Sequence, residues 1–208
     1  MSKITNLKIW PSLSYIPFPK IFWKAYFKVV FRQAIRDTAS YQVPISFELW
    51  FNQFIVGNNR NVVWPVHASS TVSAPHKIYC GIETSPGYMS GCYIQGFGGI
   101  HFGDYTQVGP NLSVISSNHD LTDTRVSISK AVYIGEYCWL GSGCVVLSGV
   151  KLGDHTIVAA GDVVTKSFED GHCVVGGNPA KVIKSGESTR QCNFTRSMMR
   201  EAAMPKCL

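Results

Sequence analysis

At 208 residues the chain is long enough for one domain with extensions, burying about 70% of its unfolded surface without covalent or metal staples. Its seven cysteines (80, 92, 138, 144, 173, 192 and 207) are odd in number and show no CxxC pair and no Cys/His cluster at zinc spacing. That excludes a disulfide or zinc framework and fits reduced, cytoplasmic thiols. A net charge of +6, from 19 basic and 13 acidic residues not interleaved with aromatics along the regular part of the chain, argues against nucleic acid as a partner.

Residues 1–60 are rich in aromatics and poor in glycine, with Pro11, Pro17 and Pro19 ahead of a helical pattern. Lys20, Lys24, Lys28, Arg32 and Arg36 recur every fourth position beside Phe22, Trp23, Tyr26, Phe27, Val30, Phe31 and Ile35. This spacing lines the charges along one slowly drifting helix face. Two uses follow from it: a helix packed over the end of the main domain with its basic face in water, or peripheral contact with an anionic membrane, at about 1 kcal/mol per basic residue. The amino terminus lacks the order of a signal peptide. The most apolar stretch, Ile21 to Ile35, is cut by charges and too short to span a bilayer, so no transmembrane segment is expected. A second short helix is predicted over about Phe47 to Ile55, ended by Gly57-Asn58-Asn59.

From residue 61 the pattern changes. Ile134, Leu140, Val146, Leu152, Val158 and Val164 recur at every sixth position, most of them followed at once by Gly or Ala. A period of six is neither that of a helix nor that of a simple strand, and it predicts a parallel β-helix in which each unit supplies one short strand and one corner. No unit can bury its own face, so coils must stack, and corner glycines accept backbone angles closed to other residues. Cys138 and Cys144, four residues after a repeat aliphatic, are read as small corner side chains. The repeat begins with Ile82, Tyr88 and Ile94, slips by two, and resumes at Phe102, Val108 and Val114. Val114 to Ile134 is twenty residues, counted as three units plus two, and the excess predicts an excursion loop near 117–131. The β-helix domain is thus expected over 61–184, closed by GGNPAKVIK, with a weakly structured or subunit-capping tail over 185–208.

The excursion opens with Asn118-His119-Asp120. A histidine near its unperturbed pKa can take a proton at neutral pH, and a neighbouring carboxylate or amide can fix its tautomer. His101 lies eighteen residues earlier, a three-unit coil, which predicts that it projects beside His119, one strand spacing or about 4.8 Å away. His67, His155 and His172 are read as turn or corner residues.

From about Ile94 to Lys184 the chain resembles the left-handed β-helix, hexapeptide-repeat acyltransferases, in the branch of galactoside, maltose, nodulation-factor and capsular-polysaccharide O-acetyltransferases. The resemblance rests on FGDYTQVGPNLSVISSNHD, YIGEYCWLGSGCVVLSGVKLGDHTIVAAGDVVTK and GGNPAKVIK. It implies a left-handed coil, a homotrimer with sites shared between chains, acetyl-CoA as co-substrate, and a saccharide acceptor of capsular, exo- or lipopolysaccharide synthesis. By the same match His119 is the general base and a backbone N–H at Gly141-Ser142 the oxyanion donor. Trp139, Ala159 and Ala160 flank the pantetheine arm, and Thr165, Lys166, Lys181 and Lys184 meet the nucleotide and phosphates. His101, Asn118 and Asp120 are the acceptor-side candidates, and no metal site is assigned. The amino-terminal segment departs from the galactoside and maltose enzymes, so no acceptor residues carry over from it. Three other readings stay open on sequence alone: N-acetylation of an amino sugar or antibiotic, metal chemistry with His101 and His119, and a non-catalytic scaffold.

Overall fold

Aliphatics at every sixth position produce short strands, mostly of two or three residues, and these are distributed in turn over three parallel sheets. The computed structural model describes residues 19–186. In the first sheet lie β1 (Thr71–Ser73), β3 (Tyr93–Gln95), β6 (Ser113–Ile115), β11 (Val145–Val146) and β14 (Val163–Val164). The second holds β2 (Ile78–Cys80), β4 (Ile100–Phe102), β9 (Val132–Ile134) and β12 (Lys151–Leu152). In the third are β5 (Gln107–Val108), β10 (Trp139–Leu140), β13 (Ile157–Val158) and β15 (Cys173–Gly177), closed by antiparallel β16 (Ala180–Ser185). β7 (Ser117–His119) and β8 (Ser127–Ser129) form a separate antiparallel hairpin.

Register explains the period. Ile134 pairs with Leu152, Leu140 with Val158 and Val146 with Val164, each eighteen residues on, so one circuit of the three sheets consumes three units. Side chains that point inward therefore stack in columns. One is Val72, Ile94, Val114, Val146 and Val164, another Cys80, Phe102, Ile134 and Leu152, and the third Val108, Leu140, Val158 and Val175. Except for half-buried Cys80, all are buried, and together they form the hydrophobic core. Burial of such columns is what holds a coil that no single unit can stabilise.

Three expectations are corrected here. Ile82 is 44% exposed, and the inward position of that coil is Cys80, in register with Phe102. Tyr88 is likewise no column member, since its hydroxyl donates to the Pro44 carbonyl at 3.2 Å and ties the helical segment to the coil. The excursion is longer than counted. Phe102 pairs with Ile134 and Val114 with Val146, thirty-two residues apart and fourteen beyond one circuit. Val114 to Ile134 is thus a single six-residue step plus a fourteen-residue insertion. The two-residue slip between Ile94 and Phe102 is present, taken up in the Gly96–Gly99 turn, where Gly99 has φ +90°.

One corner is sewn by hydroxyls. Thr84 Oγ1 donates to the Gly103 carbonyl at 2.9 Å and accepts from the Thr106 amide at 3.0 Å; Thr106 Oγ1 repeats the device with the Gly135 carbonyl (2.7 Å) and Cys138 amide (3.1 Å). Thr106→Val keeps the shape but leaves both partners unpaired, and it should lower the free energy of unfolding in urea by about 1–3 kcal/mol. An unchanged midpoint would show that the hydroxyl relay is dispensable.

The amino-terminal helices form a second cluster. α1 (Lys20–Val30) and α2 (Arg32–Asp37) are separated by a bend at Phe31, so the pattern read as one helix is two. α3 (Phe47–Trp50), capped by the Ser46 side chain, runs into a π-helical turn over Phe51–Val56 that Gly57 ends at φ +101°. Trp23 and Phe27 bury themselves against Trp50. Gln53, 1% exposed, donates to the Val62 and Trp64 carbonyls and accepts from the Val66 amide, so a buried polar side chain is fully used to bind this cluster to the coil. Among the described residues no helix is long and apolar enough to cross a membrane. Pro11, Pro17, Cys192, Cys207 and the predicted tail beyond Gly186 lie outside the described residues.

Candidate active site

The three sheets meet at three corners, and candidate residues gather at two of them. After the third sheet the chain turns through Gly109, Gly141-Ser142, Ala159-Ala160 and Gly176 on successive coils. A Cβ on Gly141 would sit 2.7 Å from the Ala160 nitrogen and 2.8 Å from the Val158 oxygen, and one on Gly109 would sit 2.6 Å from the Ser142 nitrogen. At Gly109 and Gly141 the backbone packs on the backbone of the next coil, so only glycine fits there. Trp139 stands out from β10 beside it, 57% exposed, between Gln107 and Ile157 in register.

The backbone donors at this corner differ. The Gly141 N–H donates to the Val158 carbonyl at 2.8 Å and is committed to the ladder. The Ser142 and Ala160 amides have no hydrogen-bond partner among the described residues. Of the Gly141-Ser142 pair, Ser142 therefore has the open donor. Lys181 lies in register with Gly176 and Lys184 with Val174 on β16, both exposed, while Thr165 and Lys166 leave β14, also exposed. Asp162 was not among the sequence candidates. It is 8% exposed, and its Oδ1 accepts from the Gly177 amide at 2.7 Å, pinning the closing turn under this corner. A carboxylate following Ala-Ala-Gly carries no distinctive spacing, so only the fold reveals this contact.

His119 rises from a different corner, between the first and second sheets. The stem of its hairpin is fixed: buried Ser116 accepts from the Gly98 amide at 2.9 Å, and the Ser117 amide donates to Gln95 Oε1 at 3.0 Å. His119 itself is exposed and pairs in register with Ser127, and exposed Asn118 pairs with Ile128. Asp120 closes the hairpin. Its Oδ1 accepts from the Thr122 amide and hydroxyl and from the Asp123 amide, and these bonds hold its carboxyl below the usual range. The turn thus uses one oxygen of the proposed acceptor ligand.

His101 is not the neighbour of His119. It lies on β4 in register with Tyr79 and Tyr133, its ring stacked on Tyr79 at 4.5 Å. The fourteen-residue insertion carries His119 off the coil, and Tyr133 takes the place that an eighteen-residue count gave it. Among the described residues no three His, Cys, Asp or Glu side chains are placed to share a metal ion. Burial pushes the Cys138 thiol up to about 11 and the Cys144 thiol up to about 12, so neither of these two is a thiolate at neutral pH.

The model for the bacterial transferase hexapeptide (six repeats) matches residues 131–166. The putative colanic acid biosynthesis acetyltransferase WcaF of Escherichia coli (strain K12) is 30% identical over 62% of this chain and 69% of its own length. A galactoside O-acetyltransferase of Lactococcus lactis subsp. lactis (strain IL1403) is 37% identical over 40% of this chain and 42% of its own. A solved galactoside acetyltransferase in complex with coenzyme A shares the fold, with TM-score 0.50 and 23% identity over 59% of this chain and 65% of that one. The chain belongs to the hexapeptide-repeat acetyltransferases. It spans about half or less of the length of the galactoside enzyme and of the putative acetyltransferase YvoF of Bacillus subtilis (strain 168), 42% and 51% respectively.

Proposed function

We propose that the protein is an acetyl-CoA-dependent O-acetyltransferase. It acts in the cytoplasm on a sugar hydroxyl in capsular, exo- or lipopolysaccharide synthesis, as a homotrimer of left-handed β-helices. The observation that carries this reading is the corner where backbone packs on backbone, with the Ser142 and Ala160 amides open beside exposed Trp139. A pantetheine arm carries amides, so it suits a surface with free donors and a flat aromatic wall. Lys181 and Lys184, exposed on β16, and Lys166, exposed where the chain leaves β14 at the far end of the first sheet, are charge partners for phosphates.

In this mechanism the acceptor hydroxyl gives its proton to His119 while its oxygen attacks the thioester carbonyl. The carbonyl oxygen gains charge and receives the Ser142 N–H, a donation commonly worth about 10²–10³-fold. The C–S bond then breaks, and the proton held by His119 passes to the departing sulfur. In one chain His119 and Ser142 lie at corners separated by the whole first sheet, so the reading needs His119 of one copy to face Ser142 of another, which is why it includes a trimer.

Labelled acetyl-CoA offered with hydroxyl and amine sugars tests the reaction, with transfer expected to hydroxyls; transfer to amines alone overturns O-acetylation. The groove is tested by calorimetry. Trp139→Ala should weaken CoA binding about tenfold, the equivalent of ~1.4 kcal/mol, and an unchanged Kd would remove Trp139 from the site.

A further inference from the structure

We propose that the outer face of α1 is a membrane-docking surface for anionic lipid. A surface helix ordinarily buries one apolar stripe and presents a polar one to water. In α1 the buried stripe is Trp23 and Phe27, and yet the opposite side is also apolar: Ile21 is 73% exposed and Val29 76%, with exposed Ala25 between them at the same spacing of four. Exposed aliphatics in line on one short helix are not required by the fold, since the aromatic cluster with Trp50 forms without them.

Charge selects the occupant. α1 contains no acidic residue, and Lys24 and Lys28 run along one flank of the aliphatic stripe, continued by Arg32 and Arg36 of α2. Lys20 is occupied elsewhere, paired with Glu48 at 2.8 Å and lying over the Phe51 ring. Lys24, Lys28, Arg32 and Arg36 make no ion pair among the described residues. Lys28, Arg32, Ile35 and Arg36 also line one shallow, open hollow. Three cations around one hollow beside an aliphatic stripe match a lipid surface, in which phosphate head groups lie just above acyl chains. A protein partner would have to supply both an acidic patch and an apolar one in this order. In the docked state Ile21 and Val29 enter the acyl boundary, the lysine stems lie along it, and the charged ends stay at the phosphates.

The full chain, without acetyl-CoA, is to be sedimented with phosphatidylcholine vesicles with and without phosphatidylglycerol. It should bind only the anionic vesicles, and less as salt rises. At about fivefold per basic residue, K24E/K28E should weaken binding at least twenty-fivefold. I21S/V29S keeps every charge and should weaken it about tenfold or more, since burying such side chains is worth that much. Both variants change exposed positions and leave Trp23 and Phe27 in place, so their melting curves should match that of the parent. Absence of vesicle binding at low salt overturns the proposal, as does binding that either variant leaves intact. Vesicle-independent self-association abolished by I21S/V29S would assign the face to a second copy and overturn it as well. None of these outcomes bears on acetyl transfer.

Discussion

His119→Ala should lower acetyl transfer at least a hundredfold while leaving fold and assembly as they are. The side chain is exposed, and its strand is held by backbone pairing with Ser127 and by the Ser116 and Gln95 contacts at the stem, none of which involves the imidazole. A positioned base contributes about 10²–10⁴-fold, equivalent to roughly 3–5 kcal/mol of barrier. Circular dichroism, thermal melting and light scattering should therefore superimpose on the parent while turnover collapses. Asp120 is no substitute base, because the Thr122 and Asp123 donors hold its carboxyl below the usual range and so weaken it as a proton acceptor. Activity retained within tenfold would sink the assignment of His119.

How much of this was legible in the sequence depends on whether spacing or contact decides it. The run from Ile134 to Val164 gave columns and circuit length directly, because an uninterrupted period of six permits one stacking register. Counting across interruptions failed. Ile82 and Tyr88 keep the interval yet lie off the column, since Cys80 and Ile94, both inward, are fourteen residues apart, two more than two units. The same cause misplaced His101: an insertion of fourteen residues differs from two units by two, so arithmetic modulo six cannot give its length. That a loop was present, and that it bears His119, was readable from polarity and from the loss of aliphatics. The choice of Ser142 over Gly141 as an open donor was not, because ladder hydrogen bonds depend on which coil lies above. Asp162 and Gln53 were invisible for a similar reason, as each is defined by partners distant in the sequence.

Phe102→Ala should cost about 3–5 kcal/mol of unfolding free energy, the range for truncating a buried aromatic ring. Phe102 is 0% exposed and is the largest fully buried side chain among the described residues, stacked between Cys80 and Ile134 in the second column. The cavity cannot close by local collapse. Gly103, the next residue, has backbone against the Gly135-Glu136 peptide so tightly that its Cβ would lie 2.5 Å from the Gly135 carbonyl carbon, so the coils cannot approach further. In a stacked coil each rung leans only on its neighbours, and the loss should loosen the coils amino-terminal to the insertion before those after it. Urea unfolding should show a lower midpoint, and amide exchange should accelerate first around Ile78 and Ile94. Ile82→Ala is the matched control: at 44% exposure its truncation should stay within about 0.5 kcal/mol. Equal costs for the two variants would return Ile82 to the inward column and displace Cys80 from it.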